Sequence, residues 1–137
     1  MMPTDLRGYL LADATVAGLV VARVFPVVIP QGTLFPAVAY QETVALRFTS
    51  LDGPTGLAQW RMSFAAFAET YQAVKDVGDA VRKRFDGKKN FVFGSTTFGA
   101  IKLEGEIDGF EQEAGSEASS PGLHRVVQDY LITFTES

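Results

Sequence analysis

The stretch AQWRMSFAAFAETYQAVKDVGDAVRKRFDG, Ala58 to Gly87, changes its hydrophobic period from two to about 3.6 near Glu69 with no loop between. Trp60, Met62, Phe64 and Ala66 alternate with Gln59, Arg61 and Ser63, the pattern of a half-buried strand. From Glu69 on, Tyr71, Val74, Val77, Gly78, Val81 and Phe85 fall on one side of a helix, and Gln72, Asp76, Asp79, Arg82 and Lys83 fill the other. A strand that runs straight into an amphipathic helix must fold that helix back on its own sheet. The expected fold is therefore α+β: a mainly antiparallel or mixed sheet of four to five strands, one long amphipathic helix on one face, and one or two short N-terminal helices.

Working toward the N-terminus, Leu6, Tyr9, Leu10 and Ala14 recur at helical spacing with Thr4 or Asp5 able to cap, and Asp13 opens a second short helix over Ala14 to Val20. Pro26, Pro30 and Pro36 each lack a backbone donor, so the segment from Val24 to Pro36 reads as an edge strand or extended arm with a turn at Gln31-Gly32-Thr33. Val38, Tyr40, Val44, Leu46 and Phe48 share one parity that Glu42 breaks, which predicts a long strand exposed, bulged or at an edge in its middle. Asp52-Gly53-Pro54-Thr55-Gly56 is turn chemistry and joins this strand to the next as a hairpin.

Toward the C-terminus, Gly87 is placed to end the long helix. Lys88 to Gly99 reads as a loop or flap, and Ala114 to Gly122 as a surface loop. Between them Ile101, Leu103 and Ile107 share a strand face opposite Lys102, Glu104 and Glu106. Val126, Tyr130, Ile132 and Phe134 alternate with Arg125, Asp129 and Thr133 in a closing strand.

The 137 residues suit one domain over 1–137, able to bury about 68% of its unfolded surface. Apolar residues at 47% against 20% charged argue for a folded chain. There are no cysteines, which excludes disulfides and thiolate metal sites. No secretory or membrane-spanning pattern is read, so the expectation is a soluble, cytosolic protein. A net charge of −4 offers a nucleic-acid backbone little to hold.

The charge is unevenly spread. Arg82, Lys83, Arg84, Lys88 and Lys89 crowd the helix end, whereas Glu104, Glu106, Asp108, Glu111, Glu113 and Glu117 follow one another with no base between Lys102 and Arg125. One reading is that the basic group complements the helix C-terminal dipole and the acidic group is a solvated face. The other is heterologous self-association, in which the basic residues of one copy meet the acidic residues of the next and a ring closes.

No catalytic motif survives inspection. Gly87-Lys88-Lys89 lacks the glycine spacing and hydroxyl of a phosphate-binding loop, and Phe93-Gly94-Ser95-Thr96-Thr97-Phe98-Gly99 lacks the Gly-x-Ser-x-Gly spacing of a nucleophile elbow. His124 is the one histidine, too few for a triad or a cysteine-free zinc site. Glu104, Glu106 and Asp108 do not follow a calcium-loop pattern. Trp60, Phe64, Phe48 and Tyr130 sit at core parity. Phe91 and Phe93 are costly to leave wet in a polar loop, so they either dock a partner or fold back on their own domain.

With these elements in order, the chain resembles the tail-completion, or tail-terminator, proteins of long-tailed bacteriophages. The resemblance is carried by Leu10-Leu11-Ala12-Asp13-Ala14, Val24-Phe25-Pro26, Pro30-Gln31-Gly32-Thr33, Pro36-Ala37-Val38-Ala39-Tyr40-Gln41, Ser50-Leu51-Asp52-Gly53-Pro54 and Phe67-Ala68-Glu69-Thr70-Tyr71. It continues through Asp79-Ala80-Val81-Arg82, Phe85-Asp86-Gly87, Phe110-Glu111 and Gly122-Leu123-His124-Arg125, so that it spans Asp5 to Phe134. The chain departs from the usual pattern in a long Lys88 to Gly99 segment and an insertion at Gly115 to Pro121.

The resemblance implies a structural virion protein at the tail-neck junction, assembled in the host cytoplasm, with no enzymatic activity, metal or cofactor. It implies a ring, hexameric in the family, that caps the tail tube, stops its polymerisation and meets the head-closure or neck protein, with the genome passing through its lumen without specific binding. Arg82, Lys83, Lys88 and Lys89 against Glu104, Glu106, Asp108 and Glu111 are then the candidate subunit interface, and Phe91 with Phe93 the candidate docking pair. The alternatives are a head-closure or other neck-ring protein and, from another class, a small-molecule-binding or hydrolytic α+β domain.

Overall fold

The period change at Glu69 is a strand passing into a helix: β3 (Gly53–Ala68) gives way to α3 (Tyr71–Phe85) across two residues. Thr70 caps the helix, its hydroxyl accepting from the Ala73 amide at 3.1 Å, and Gly87 leaves it at a φ of +78° that other residues adopt with strain. The computed structural model describes residues 1–50, 53–111 and 122–136. Its other elements are α1 (Met2–Leu11), α2 (Ala14–Val20), β1 (Val24–Pro26), β2 (Ala37–Ser50), β4 (Lys89–Phe93), β5 (Thr96–Glu111) and β6 (Leu123–Glu136).

The strands form one mixed sheet of order β1-β2-β3-β6-β5-β4, in which β1 runs parallel to β2 and every other neighbour is antiparallel. The α+β class and the long helix are as the sequence predicts, but the sheet has six strands rather than four to five. The additional strand is β4. Lys89 to Phe93 pairs with Thr96 to Ala100 in a tight hairpin, so the loop expected over 88–99 is corrected to two strands and a turn at Gly94-Ser95. The other expected loop, 114–122, lies outside the described residues except for Gly122. The predicted β2–β3 hairpin is present but tighter than Asp52 to Gly56, since Ser50 pairs with Gly53; Leu51 and Asp52 lie outside the described residues.

Asp13 caps α2, accepting from the Thr15 and Val16 amides at 2.9 and 3.2 Å. Asp5 does not cap α1, which already starts at Met2 with Pro3 in its first turn. Its carboxylate instead crosses to the β4–β5 turn, accepting from Thr96 Oγ1 at 2.6 Å and from the Ser95 amide at 3.2 Å. The Thr96 hydroxyl bond, above all, holds Asp5 below its ordinary pKa. The turn at Gly94 passes so close that a Cβ there would overlap the carboxylate.

Of the four register shifts among the described strands, two turn apolar side chains away from the helices. Between Glu42 and Val44 the register of β2 against β3 shifts by one residue, as the break at Glu42 suggests. Val38 and Tyr40, before it, are buried; Val44 and Leu46, after it, oppose Arg61 and Gln59 on the outer face and are 43% and 51% exposed. The single core parity expected from Val38 to Phe48 is thus corrected to a parity that flips. A second shift between Leu103 and Gly105 does the same to β5: Glu106 and Asp108 turn to the helix side and Ile107 turns outward.

All three helices cover one face, and the core lies between them and the sheet. Trp60, Met62 and Phe64 of β3, Phe98 and Ile101 of β5, and Tyr130, Ile132 and Phe134 of β6 share one core with Leu6 and Leu10 of α1, Val16 and Val20 of α2, and Val74, Val77, Val81 and Phe85 of α3. Phe85 has its ring centroid 5.0 Å from Phe64 and 5.3 Å from Tyr130, both edge to face. One buried polar chain crosses this core. Tyr130 donates to Gln128 Oε1 at 2.7 Å and Gln128 Nε2 donates to the Gly78 carbonyl at 2.8 Å, fastening β6 to α3. Gly78 permits the approach, since a Cβ would stand 3.3 Å from Val126. Burial pushes the Tyr130 hydroxyl pKa strongly upward, so it remains a donor.

Candidate assembly surfaces

The face of the sheet away from the helices is open. The arm from Val27 to Pro36 curls over part of it, leaving the β1 edge after the Val27 amide bonds the Tyr40 carbonyl at 2.7 Å. Arm and sheet bound a cleft of about 520 Å³ between Val28, Pro30 and Phe35 on one side and Ala39, Ala65 and Phe67 on the other. Its few polar members are amides and hydroxyls such as Gln31, Gln41 and Ser63, with no carboxylate, imidazole or ammonium group. A cleft so lined can hold apolar surface but offers no acid or base for hydrolysis. Among the described residues no three His, Asp or Glu side chains gather as a metal site, and no helix is long and apolar enough to cross a membrane.

The charged residues named from sequence are drawn into the chain's own contacts. Arg61 Nε lies 2.8 Å from Glu104 Oε1 on the open face. Lys75 of α3 lies 3.4 Å from Glu106 and 3.2 Å from Asp108, which also accepts from the Tyr71 hydroxyl at 3.2 Å. The hydrogen bond to Asp108 is the main cause of a raised Lys75 pKa. Arg82 pairs with Asp79 one turn earlier, at 3.7 Å. Lys83, Lys88 and Lys89 have no ion-pair partner among the described residues, and the side chain of Glu111 lies outside them. Lys89 opens β4 and the acids lie on β5, so Lys89 and the acids share the β4–β5 margin of the sheet. Lys75 and Arg61 escaped the sequence reading because their partners are 31 to 43 residues away, and only the fold joins them.

Phe91 and Phe93 take the second of the two readings in this chain's geometry: they fold back. Phe91 stacks on Tyr9 at 4.5 Å and on Phe98 at 4.9 Å, and Phe93 meets Tyr9 edge-on at 5.8 Å. Arg84 closes the cluster, its guanidinium 3.6 Å from the Tyr9 ring and its Nε bonded to the Tyr9 carbonyl. Val92, between the two phenylalanines, turns to solvent. His124 stands at the opposite end of the sheet between the rings of Phe110 and Tyr71, an aromatic contact without a nucleophile.

The exposed apolar residues that sequence reasoning missed lie at the sheet margins. They are Val44 and Leu46 on β2, Ile107 and Phe110 on β5 at 70% and 55% exposure, and Val27, Val28 and Leu34 on the arm. Only the break at Glu42 signalled any of them.

The family of tail completion protein gp17 matches residues 4–135 of the chain. No curated protein matches it in sequence. A chain in the solved virion of a native gene transfer agent particle is similar in fold, with a TM-score of 0.73 at 17% identity, covering 96% of this chain and 92% of that one.

Proposed function

Since the chain belongs to the tail completion protein gp17 family and is thereby a structural protein of the virion tail, we propose that it acts as the tail terminator. Copies assemble as a ring, six in number, on the last ring of a finished tail tube. The ring stops polymerisation and gives the head-closure or neck protein its attachment surface, and the genome passes through its lumen without specific contacts. The observation that supports this best is where the exposed apolar surface lies: on the arm, the open face and the margins of the sheet, rather than in a pocket with converging polar groups.

Charge pairing between copies contributes less to this ring than the sequence alone implies. Glu104, Glu106 and Asp108 already have partners within the chain. Exchanging them for the Lys83, Lys88 or Lys89 of a neighbour gains no more than about 0–1 kcal/mol per pair at an exposed site.

Electron microscopy of particles lacking the protein tests the reading. Tailless heads beside overlong or unjoined tails are expected; normal joined particles would refute it. Retention of the purified chain on tail-tube components separates a terminator from a head-closure protein, which would bind the capsid side alone.

A further inference from the structure

Two stretches of the sheet margin have no strand beside them among the described residues. The outer edge of β2 is covered by β1 only as far as Tyr40, and that of β5 is covered by β4 and its flank only as far as Leu103, whose amide bonds Asp86. The other outer edges are short and blunted. β1 has three residues ending in Pro26 and a Val27 at φ +66°; β4 has five, with Lys89 and an Asn90 at φ +55°. Those are devices that deter edge pairing. From Gln41 to Leu46, β2 carries no Pro, Lys or positive φ; it has the bulge after Glu42 and a single charge there, with Val44 and Leu46 exposed. From Gly105 to Phe110, β5 is likewise strand-paired on its inner side only, with Ile107 and Phe110 exposed.

We propose, building on the ring reading, that the outer edge of β2 in one copy pairs antiparallel with the outer edge of β5 in the next, so that the sheets continue from subunit to subunit. Within a copy β2 and β5 run in opposite directions, and a rotation about a ring axis preserves that sense. The stagger fits closure as well. Gln41 is level with Gly105 through Ser63 and Asp129, so the two open stretches are offset along the strands by about five residues, roughly 17 Å. One repeat across β2, β3, β6 and β5 spans four strand spacings, roughly 19 Å. Matching the two edges therefore tilts the strands by about 40° to the ring axis, inside the range that closed barrels adopt.

Charge selects the partner edge. Two β5 edges brought together would oppose Glu104, Glu106 and Asp108 to their own copies, whereas the open stretch of β2 brings only Glu42. A β2–β2 contact would close a dimer and leave β5 uncovered.

The absence of native cysteines makes the test direct. Ile107→Cys is combined in turn with Gln41→Cys, Val44→Cys and Leu46→Cys, all at exposed sites on the outward face, and each variant replaces the wild-type copy in tailed particles, which are then oxidised. Two strands, β3 and β6, separate the sites within a copy, beyond the reach of a disulfide, so any cross-link joins two molecules. A covalent ladder up to the ring number from at least one pair, with the single-cysteine variants staying monomeric, is the expected result. A visible ring that yields only monomer from all three pairs overturns edge pairing and leaves the ring reading intact. A dimer from Ile107→Cys alone overturns it in favour of a β5–β5 contact, and particles with no ring at the tail end defeat both readings.

Discussion

The two faces of β3 come from alternate residues of one strand, yet they have opposite fates. Trp60, Met62 and Phe64 are sealed in the core beneath the helices, while Gln59, Arg61 and Ser63 look out from an open sheet. The covered face contributes folding energy: each fully buried large apolar side chain is worth about 1.5–3 kcal/mol. The open face and its margins contribute little to the monomer, and the apolar residues stranded there stay exposed although their strands are paired on one side. Surface that costs a lone chain and stabilises an assembly is what a virion component is expected to carry.

The comparison can be broken most severely on the covered side. Phe85→Ala removes the ring wedged between Phe64 and Tyr130 and should cost about 3–5 kcal/mol, read as a lowered denaturant midpoint with an unchanged slope. Gln128→Leu strands the buried Tyr130 hydroxyl and the helix-side partner at Gly78, a loss of about 1–3 kcal/mol by the same titration; if stability is unchanged, the polar chain does not fasten α3.

Asp5→Asn should have a smaller, pH-dependent effect. A carboxylate whose pKa is lowered in the folded state adds stability above its unfolded value and loses that stability as the pH falls through 3.8 and below. The gap in melting temperature between wild type and variant should therefore be widest near neutrality and close in acid; a constant gap would mean that the charge is not the cause.

The smallest effect belongs to the open side. Leu46→Ser should move folding stability by no more than about 0.5 kcal/mol, because its side chain is half exposed, while weakening ring formation in a sedimentation or microscopy assay. Equal damage to folding and assembly would erase the distinction between the faces.

Much of the fold was legible because its signals are local. Asp13 and Thr70 cap the helices that follow, the alternation from Trp60 to Ala66 gives the central strand, and the 3.6 period places Val74, Val81 and Phe85 inward. The hairpin from Lys89 to Glu111 was hidden, since Lys, Asn, Gly, Ser and Thr dominate its turn and Phe91 and Phe93 find their partner, Tyr9, some eighty residues away in the chain. The candidate surface was less legible than the fold. Charge runs are visible in a sequence, but their satisfaction by Lys75 and Arg61 is not.

What the chain determines by itself is the alternation of polar and apolar residues, and with it the elements, their caps and the absence of catalytic chemistry. What the tertiary structure decided is the two bulges, at Glu42 and Leu103, which turn Val44, Leu46 and Ile107 outward and leave two sheet edges without a neighbour. A single extra residue in a strand inverts every side chain beyond it; Glu42 hints at the first bulge and nothing local marks the second, because the cost and compensation of a bulge lie in the pairing with another strand.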